Sequence, residues 1–374
     1  MSSADFLIIG GGIAGLSAAA RLARHGKTIV LEGESALGYH SSGRSVTFSH
    51  YGIGDATVRA LTAWSRAFYE ADPSLARTAS TLYFADKTSL ARLDALGEAM
   101  ATFTDAIERV DADEIARLCP AVRTGGGGAV AGLHDPTGLK LDADALLQLH
   151  AREIRAAGGE VRTGWRIAAI ERAGDEWVVR AEDGGVCRAP MLVNAAGAWA
   201  DRVAALAGVA PLGLSPKRRT IIVVDPPAGT DVAAWPFVHS AAGDFYMLPE
   251  AGRLLVSPMD EVADDPCDAA PEDYDIALAA DRLEHYTTVP IARIAHRWAG
   301  LRTFTADRVP TAGFAPDAPG FFWLAGQGGY GLQTAPAMSA AVESLVAGTA
   351  WPDGLAALGV VAEAIGPERL LECC

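Results

Sequence analysis

The chain has 374 residues, half of them hydrophobic and 21% charged, which is an ordinary globular composition too long for one compact core, so two domains are expected. Its 46 acidic and 31 basic residues leave a net charge of -15, which argues against nucleic acid and anionic membrane as partners. A small anionic substrate stays open, because a local pair of arginines can act against the global field.

No stretch reaches the roughly 18 uninterrupted apolar residues of a membrane span. The N-terminus runs into an apolar strand with no basic leader. The cysteines, Cys119, Cys187, Cys267, Cys373 and Cys374, show no metal-ligand spacing and fit a reducing compartment. A cytoplasmic protein is expected, with the last two cysteines in an unstructured tail.

In chain order, Asp5 to Ile9 reads as a strand, Ile13 to Arg24 as a helix closed by Gly26, and Thr28 to Leu31 as a second strand, a βαβ unit. Helices are expected at Ala56–Ala71 and Ser89–Ala101 with a strand at Ser80–Ala85 between them, and a tight connection at Gly125–Gly128. Another helix spans Asp142 to Ala157. Glu160–Arg172 and Glu176–Ala181 read as paired strands, and Met191–Ala195 as a buried strand leading into a helix near Ala198. Between Lys217 and Pro258, alternating runs at Thr220–Val224, Phe237–Ser240, Phe245–Leu248 and Leu254–Ser257 predict an antiparallel sheet. A helix at Pro271–His285, strands at Ala295–Phe304 and Gly320–Ala325, and a helix from the glycine-rich turn to about Val346 complete the reading.

Gly10, Gly12 and Gly15 have GxGxxG spacing, follow a strand, open a helix and precede Glu32 by 22 residues. Each part has a task in holding a dinucleotide. Gly10 makes the turn, Gly12 admits the pyrophosphate, and Gly15 allows helix and strand to touch. The amides of Ile13 and Ala14 face the phosphates, and Glu32, followed by Gly33, accepts from the ribose hydroxyls and would repel a 2′-phosphate. Two more strand–glycine–helix turns, one through Asn194, Ala196, Gly197, Trp199 and Asp201, the other through Gln327, Gly328, Gly329, Tyr330, Gly331, Leu332 and Gln333, suit a long cofactor gripped along its length.

The stretch from His40 through Ser41, Ser42 and Arg44 to Ser45, the Asn194–Asp201 turn, Pro216–Arg219, Phe245–Tyr246, Trp298–Arg302 and Gln327–Gly331 together resemble the D-amino-acid oxidase family of flavoproteins, most nearly its bacterial D-arginine dehydrogenases. The resemblance implies an α/β fold: a discontinuous Rossmann FAD-binding domain (1–47, 137–212 and 300–374) and an α+β substrate domain built on an antiparallel sheet (48–136 and 213–299). It places Ser41, Ser42 and Ser45 along the pyrophosphate and flavin, adds His40, Arg44 and Gly300 to the cofactor contacts, and puts Ile167 at the adenine. No cysteine stands near Arg302, where some relatives attach the flavin, so FAD is expected to bind non-covalently.

Arg219 and Arg302 resemble the family's carboxylate clamp, with Tyr246 as a phenol donor; the planar guanidinium meets a carboxylate bidentately. An arbitrary arginine is more often a surface ion pair, but both lie in strand contexts. Arg302 also counts among the cofactor contacts, and Gly329 and Tyr330 are expected at the substrate as well as at FAD. Where the arginine enzymes carry a glutamate, a histidine and a tyrosine, this chain has Thr81, Phe48 and Ile53, so the resemblance implies a neutral or apolar D-amino acid. Tyr51 and His50 are read as replacements for those loop residues, with an exposed loop position as the alternative for His50. Hydride would pass from Cα to flavin N5, and O₂ or a quinone would reoxidise the flavin. Three alternatives remain at this level: oxidation of an N-methyl or cyclic amine, oxidation of a 2-hydroxy acid with His40 or His50 as base, and a flavin-binding subunit without catalysis.

Overall fold

The computed structural model describes residues 2–371, so Cys373 and Cys374 lie outside the described residues. A six-stranded sheet runs in the order Glu160–Arg162, Thr28–Leu31, Phe6–Ile9, Met191–Asn194, Phe321–Ala325, Thr311–Phe314. All neighbours are parallel except the last pair. Its strands are apolar on both faces because both faces are covered. Ile8, Val30 and Val193 join a core with the helices Ile13–Leu22 and Gly331–Ala347, while Leu7, Ile9 and Leu192 join another with Trp177 and Trp323. The expected α/β architecture with a Rossmann-type sheet is therefore present.

A nine-stranded sheet forms the other large layer. Ser215–Val224, Arg253–Ser257, Tyr246–Glu250 and Phe237–Ser240 are antiparallel neighbours, as their alternation predicts. The sheet then departs from that expectation: Phe237–Ser240 pairs in parallel with Thr81–Ala85, and the sheet continues to Ala131–Asp135 and Glu108–Asp111. Ile294–Phe304 flanks Ser215–Val224 along ten register pairs and crosses residues 299 and 300, the expected domain boundary, as one continuous strand. Phe48–Ser49, Leu139–Leu141 and Ala76–Thr78 make a small third sheet.

The expected strand Glu160–Arg172 is two strands. Glu160–Arg162 pairs with Thr28–Leu31, and Ile167–Ala173 belongs to a separate four-stranded sheet. Gly164, at φ 68°, turns the chain between them. Among the described residues no helix is long and apolar enough to cross a membrane.

The first helix can approach the sheet only because its glycines lack Cβ. A Cβ on Gly10 would stand 2.4 Å from the Ala195 carbonyl oxygen, and one on Gly15 only 2.0 Å from the Gly10 oxygen. Both obstacles are backbone, so neither can rotate away. Gly15→Ala is expected to cost about 2–3 kcal/mol as an overpacked contact and to yield protein without bound cofactor, measured by thermal unfolding and by the visible absorbance of the purified chain.

Candidate active site

A cavity of about 540 Å³ lies at the carboxyl ends of the parallel strands. The helix Ile13–Leu22 opens into it with Gly12 as an uncapped N-cap and no acidic residue in the first turn. Ile13 and Ala14 line the wall, and the Ile13 N–H donates to Ser42 Oγ at 3.0 Å. Glu32 accepts from the Gly11 and Glu34 amides at 2.6 and 2.8 Å, which holds its carboxylate at the rim beside Gly33.

On the opposite strand end, the Asn194 side chain bonds Ala200 O and the Ala196 amide, shaping the turn that brings Ala196, Gly197 and Trp199 to the wall. The His40 ring sits 4.5 Å from the Trp199 ring, with Nε2 3.1 Å from Glu34. Ser41 Oγ donates to the Leu301 carbonyl at 2.6 Å, and Ser45 Oγ accepts from the Thr47 amide. Ile167 lines the far end at a break in strand register before Ala169. At the near end, Gly300, Gly328, Gly329, Gly331 and Leu332 line the cavity, the last two from the first turn of the helix Gly331–Ala347, which also lacks a side-chain cap and an acid. Two uncapped helix N-termini and the unpartnered Gln327 Nε2 fit a long anionic cofactor with a pyrophosphate. None of Cys119, Cys187 and Cys267 lines the cavity.

Three expected cofactor residues sit elsewhere. Gly15 packs against Gly10 behind the wall. Tyr330 donates its hydroxyl to the Arg308 carbonyl, and Gln333 donates to Thr62 Oγ at 2.7 Å; neither lines the large cavity. Arg44 does line it, but its guanidinium is committed to the Ala269 and Ala299 carbonyls and to Asp268.

A smaller cavity of about 70 Å³ adjoins the large one, and Ser45, Val46, Arg219, Tyr246, Arg302, Gly329 and Leu332 line both. Arg219 stands in register with Gly300, and Arg302 with Lys217, so the two arginines are diagonal neighbours on one face of an antiparallel ladder. Arg219 is buried. Its Nε donates to the Asp260 carbonyl at 2.8 Å and one terminal nitrogen reaches Glu261 at 3.4 Å, but Nη1 has no partner. The Tyr246 hydroxyl is also buried without a partner. Arg302 makes no hydrogen bond with any described residue. Its guanidinium lies against Gly329, where a Cβ would come within 2.8 Å of it. Burial, aided by the charge of Arg219, pushes Arg302 down to about 10.

The remaining wall of the small cavity is Phe48, Gly52, Ile53, Phe237, Met259, two histidines, and Tyr330 and Gln333, whose side chains bond the Arg308 carbonyl and Thr62. Phe48 packs on Phe237 at 4.7 Å. His50 is buried, not an exposed loop residue; burial, then the charges of Arg302 and Arg59, depress it to about 3. His239 is likewise held well below the usual histidine range by burial and by His50 and the arginines. Thr81 does not reach the cavity. It is fully buried, and the chain at Gly138 covers it: a Cβ there would stand 3.2 Å from its methyl and 3.4 Å from Phe48. Sequence reasoning missed Phe237, His239 and Met259. The first two stand two apart on one strand, a period-two signal that was legible.

The family model of FAD dependent oxidoreductase (DAO) matches residues 5–345. The bovine (Bos taurus) FAD-dependent oxidoreductase domain-containing protein 1 is 30% identical over 176 residues, which is 42% of this chain and 35% of that protein. The chain thus aligns with only about a third of that relative's length. Among solved structures, L-α-glycerophosphate oxidase from Mycoplasma pneumoniae with FAD bound superposes at TM-score 0.83 and 20% identity, covering 92% of this chain and 95% of that one. L-proline dehydrogenase from P. horikoshii gives 0.81 at 20%, covering 100% and 99%. At that identity the likeness concerns the fold.

The buried histidines set an acid limit. Their folded-state pKa values lie below the unfolded value of 6.5, so below that pH the unfolded chain binds protons that the folded chain refuses. The stability is full above about pH 6.5 and is lost as pH falls toward 3. His50→Gln is expected to lose about 2 kcal/mol less than the native chain between about pH 7 and pH 4.5 in denaturant titrations.

Proposed function

The chain belongs to the FAD-dependent oxidoreductase family, and from that premise we propose that it oxidises a small neutral α-amino acid of D configuration at its Cα–N bond, giving an imine that water converts to a 2-oxo acid and ammonia. The observation that carries this reading is the set of donors without partners where the two cavities meet: the buried Arg219 Nη1 and Tyr246 hydroxyl, and the half-buried, unbonded Arg302 guanidinium. Buried donors left unsatisfied are costly, and a carboxylate can accept from each of the three groups. Among the described residues no aspartate or glutamate lines the small cavity, so a cationic side chain would enter without compensation.

When bound non-covalently along the large cavity, FAD supplies the acceptor for the Cα–H hydride. The protein's own part is positional. The two arginines and Tyr246 fix the carboxylate, the apolar wall excludes water, and Gly329 leaves room for Arg302 beside the reacting carbon's expected place. The paired positive charges oppose an ammonium group, so the amine reacts as its neutral form, and both histidines stay uncharged at neutral pH. The D configuration is proposed on the resemblance to D-amino-acid oxidases. The similar folds include a glycerophosphate oxidase and a proline dehydrogenase, so the fold alone leaves the substrate open.

Anaerobic mixing of the holoenzyme with D-, L- and N-methyl amino acids and 2-hydroxy acids tests the reading. Neutral D-amino acids are expected to bleach the flavin fastest, at a rate that rises with pH as the amine deprotonates. A higher kcat/KM for D-arginine, or bleaching by hydroxy acids alone, would overturn it. Arg302→Lys keeps the charge and loses the fork; it is expected to lower kcat/KM for the best amino acid at least about a hundredfold.

A further inference from the structure

The proposed reaction assigns no task to His50 and His239, yet both are buried in the wall of the small cavity. The His50 Nδ1 accepts from the Gly52 amide at 3.2 Å and lies 2.6 Å from the Tyr83 hydroxyl. An amide N–H only donates, so Nδ1 carries no proton, and the Tyr83 hydroxyl donates to it as well. The neutral ring therefore holds its proton on Nε2, which bonds to no described residue. His50 is thereby set as a donor, and burial keeps Tyr83 protonated to sustain this.

His239 is enclosed by aromatic rings: Phe237 at 4.0 Å, Tyr83 stacked at 4.7 Å, His50 at 5.3 Å and Tyr246 at 5.7 Å. None of them bonds its Nε2, which is fully buried without a partner. A cavity meant only for an aliphatic side chain has no use for two unsatisfied imidazole nitrogens. Leucine or phenylalanine at these positions would fill it without the cost of an unmade bond.

We infer that His50 and His239 read the substrate's side chain, and that the preferred substrates carry a short, neutral hydrogen-bonding group there, a carboxamide or a hydroxyl. The inference rests on the proposed amino-acid reaction and narrows it. Phe48, Ile53, Phe237 and Met259 pack the stem of such a side chain, and the imidazoles bond its tip. A cavity of about 70 Å³ admits only a few heavy atoms. A site built to bond a polar group discriminates strongly against the analogue lacking it, because its own polar atoms are then left buried and unpaired.

Matched substrate pairs test this with the holoenzyme. D-asparagine and D-leucine share a branched outline and differ in the polar tip; D-serine and D-2-aminobutyrate form a second pair. The polar member is expected to win each comparison in kcat/KM by at least about tenfold. His239→Phe is expected to bring the ratio within about twofold, whereas Tyr246→Phe, which removes a donor to the carboxylate, should slow both members and leave the ratio in place. If the native enzyme treats the apolar member as well or better, the inference fails whatever the variants do. That failure is distinct from the failure of the reaction itself, in which no amino acid bleaches the flavin and both proposals fall together.

Discussion

Two arginines share one buried wall without a full complement of acids. Arg219 is partly balanced by Asp260 and Glu261, while Arg302 has no bonded carboxylate among the described residues and is weakened as an acid-base partner by burial and by its neighbour's charge. Uncompensated buried charge is expensive, so much of the surrounding structure is arranged to hold it. Asp260 accepts from the Thr220 amide as well as facing Arg219, and Glu261 bridges to Arg308. The turn that presents these acids passes through Met259 at φ 53°, a left-handed conformation that a side chain rarely takes, closed by Ser257 Oγ accepting from the Met259 amide. Both histidines stay neutral chiefly because they are buried, and the neighbouring arginine charge adds to that effect.

The cofactor cavity answers the opposite charge with a different device. Among the described residues no lysine lines it, though Arg44, Arg166 and Arg202 do; uncapped helix ends open into it, and the net negative surface is no obstacle because those dipoles act locally. The chain is thus acidic overall, while both cavities carry donors suited to the anions proposed for them.

The parts of this arrangement were unequally legible in the amino-acid order. The glycine turn with Glu32 was plain, because its constraints act within about thirty residues and each has one cheap solution. The strand alternation around Tyr246 was visible too. Register was not: that His239 faces Tyr246 and stacks on Tyr83 follows from one antiparallel and one parallel pairing between distant segments. Thr81 was misplaced for a related reason. Its strand was identified, but the coverage of its face by the Gly138 turn depends on a third sheet whose strands are two or three residues long. Glu160–Arg172 read as one strand because Gly164 is a single residue in an otherwise even pattern.

The ladder between Ser215–Val224 and Ile294–Phe304 carries a final implication. Arg219 and Arg302, proposed to hold the carboxylate, both hang from it, with their spacing set by backbone hydrogen bonds at about 7–8 Å diagonally. The wall that meets the side chain comes instead from Phe48–Ile53, Phe237–His239 and the Met259 turn, outside that ladder. On the proposed reaction, the head of a substrate and its tail are thus met by different pieces of chain. Substitutions at Phe48, Ile53, Phe237 and His239 can drift or be selected while the ladder keeps the arginines in place, whereas the Met259 turn also presents Asp260 and Glu261 to Arg219 and is tied to both pieces.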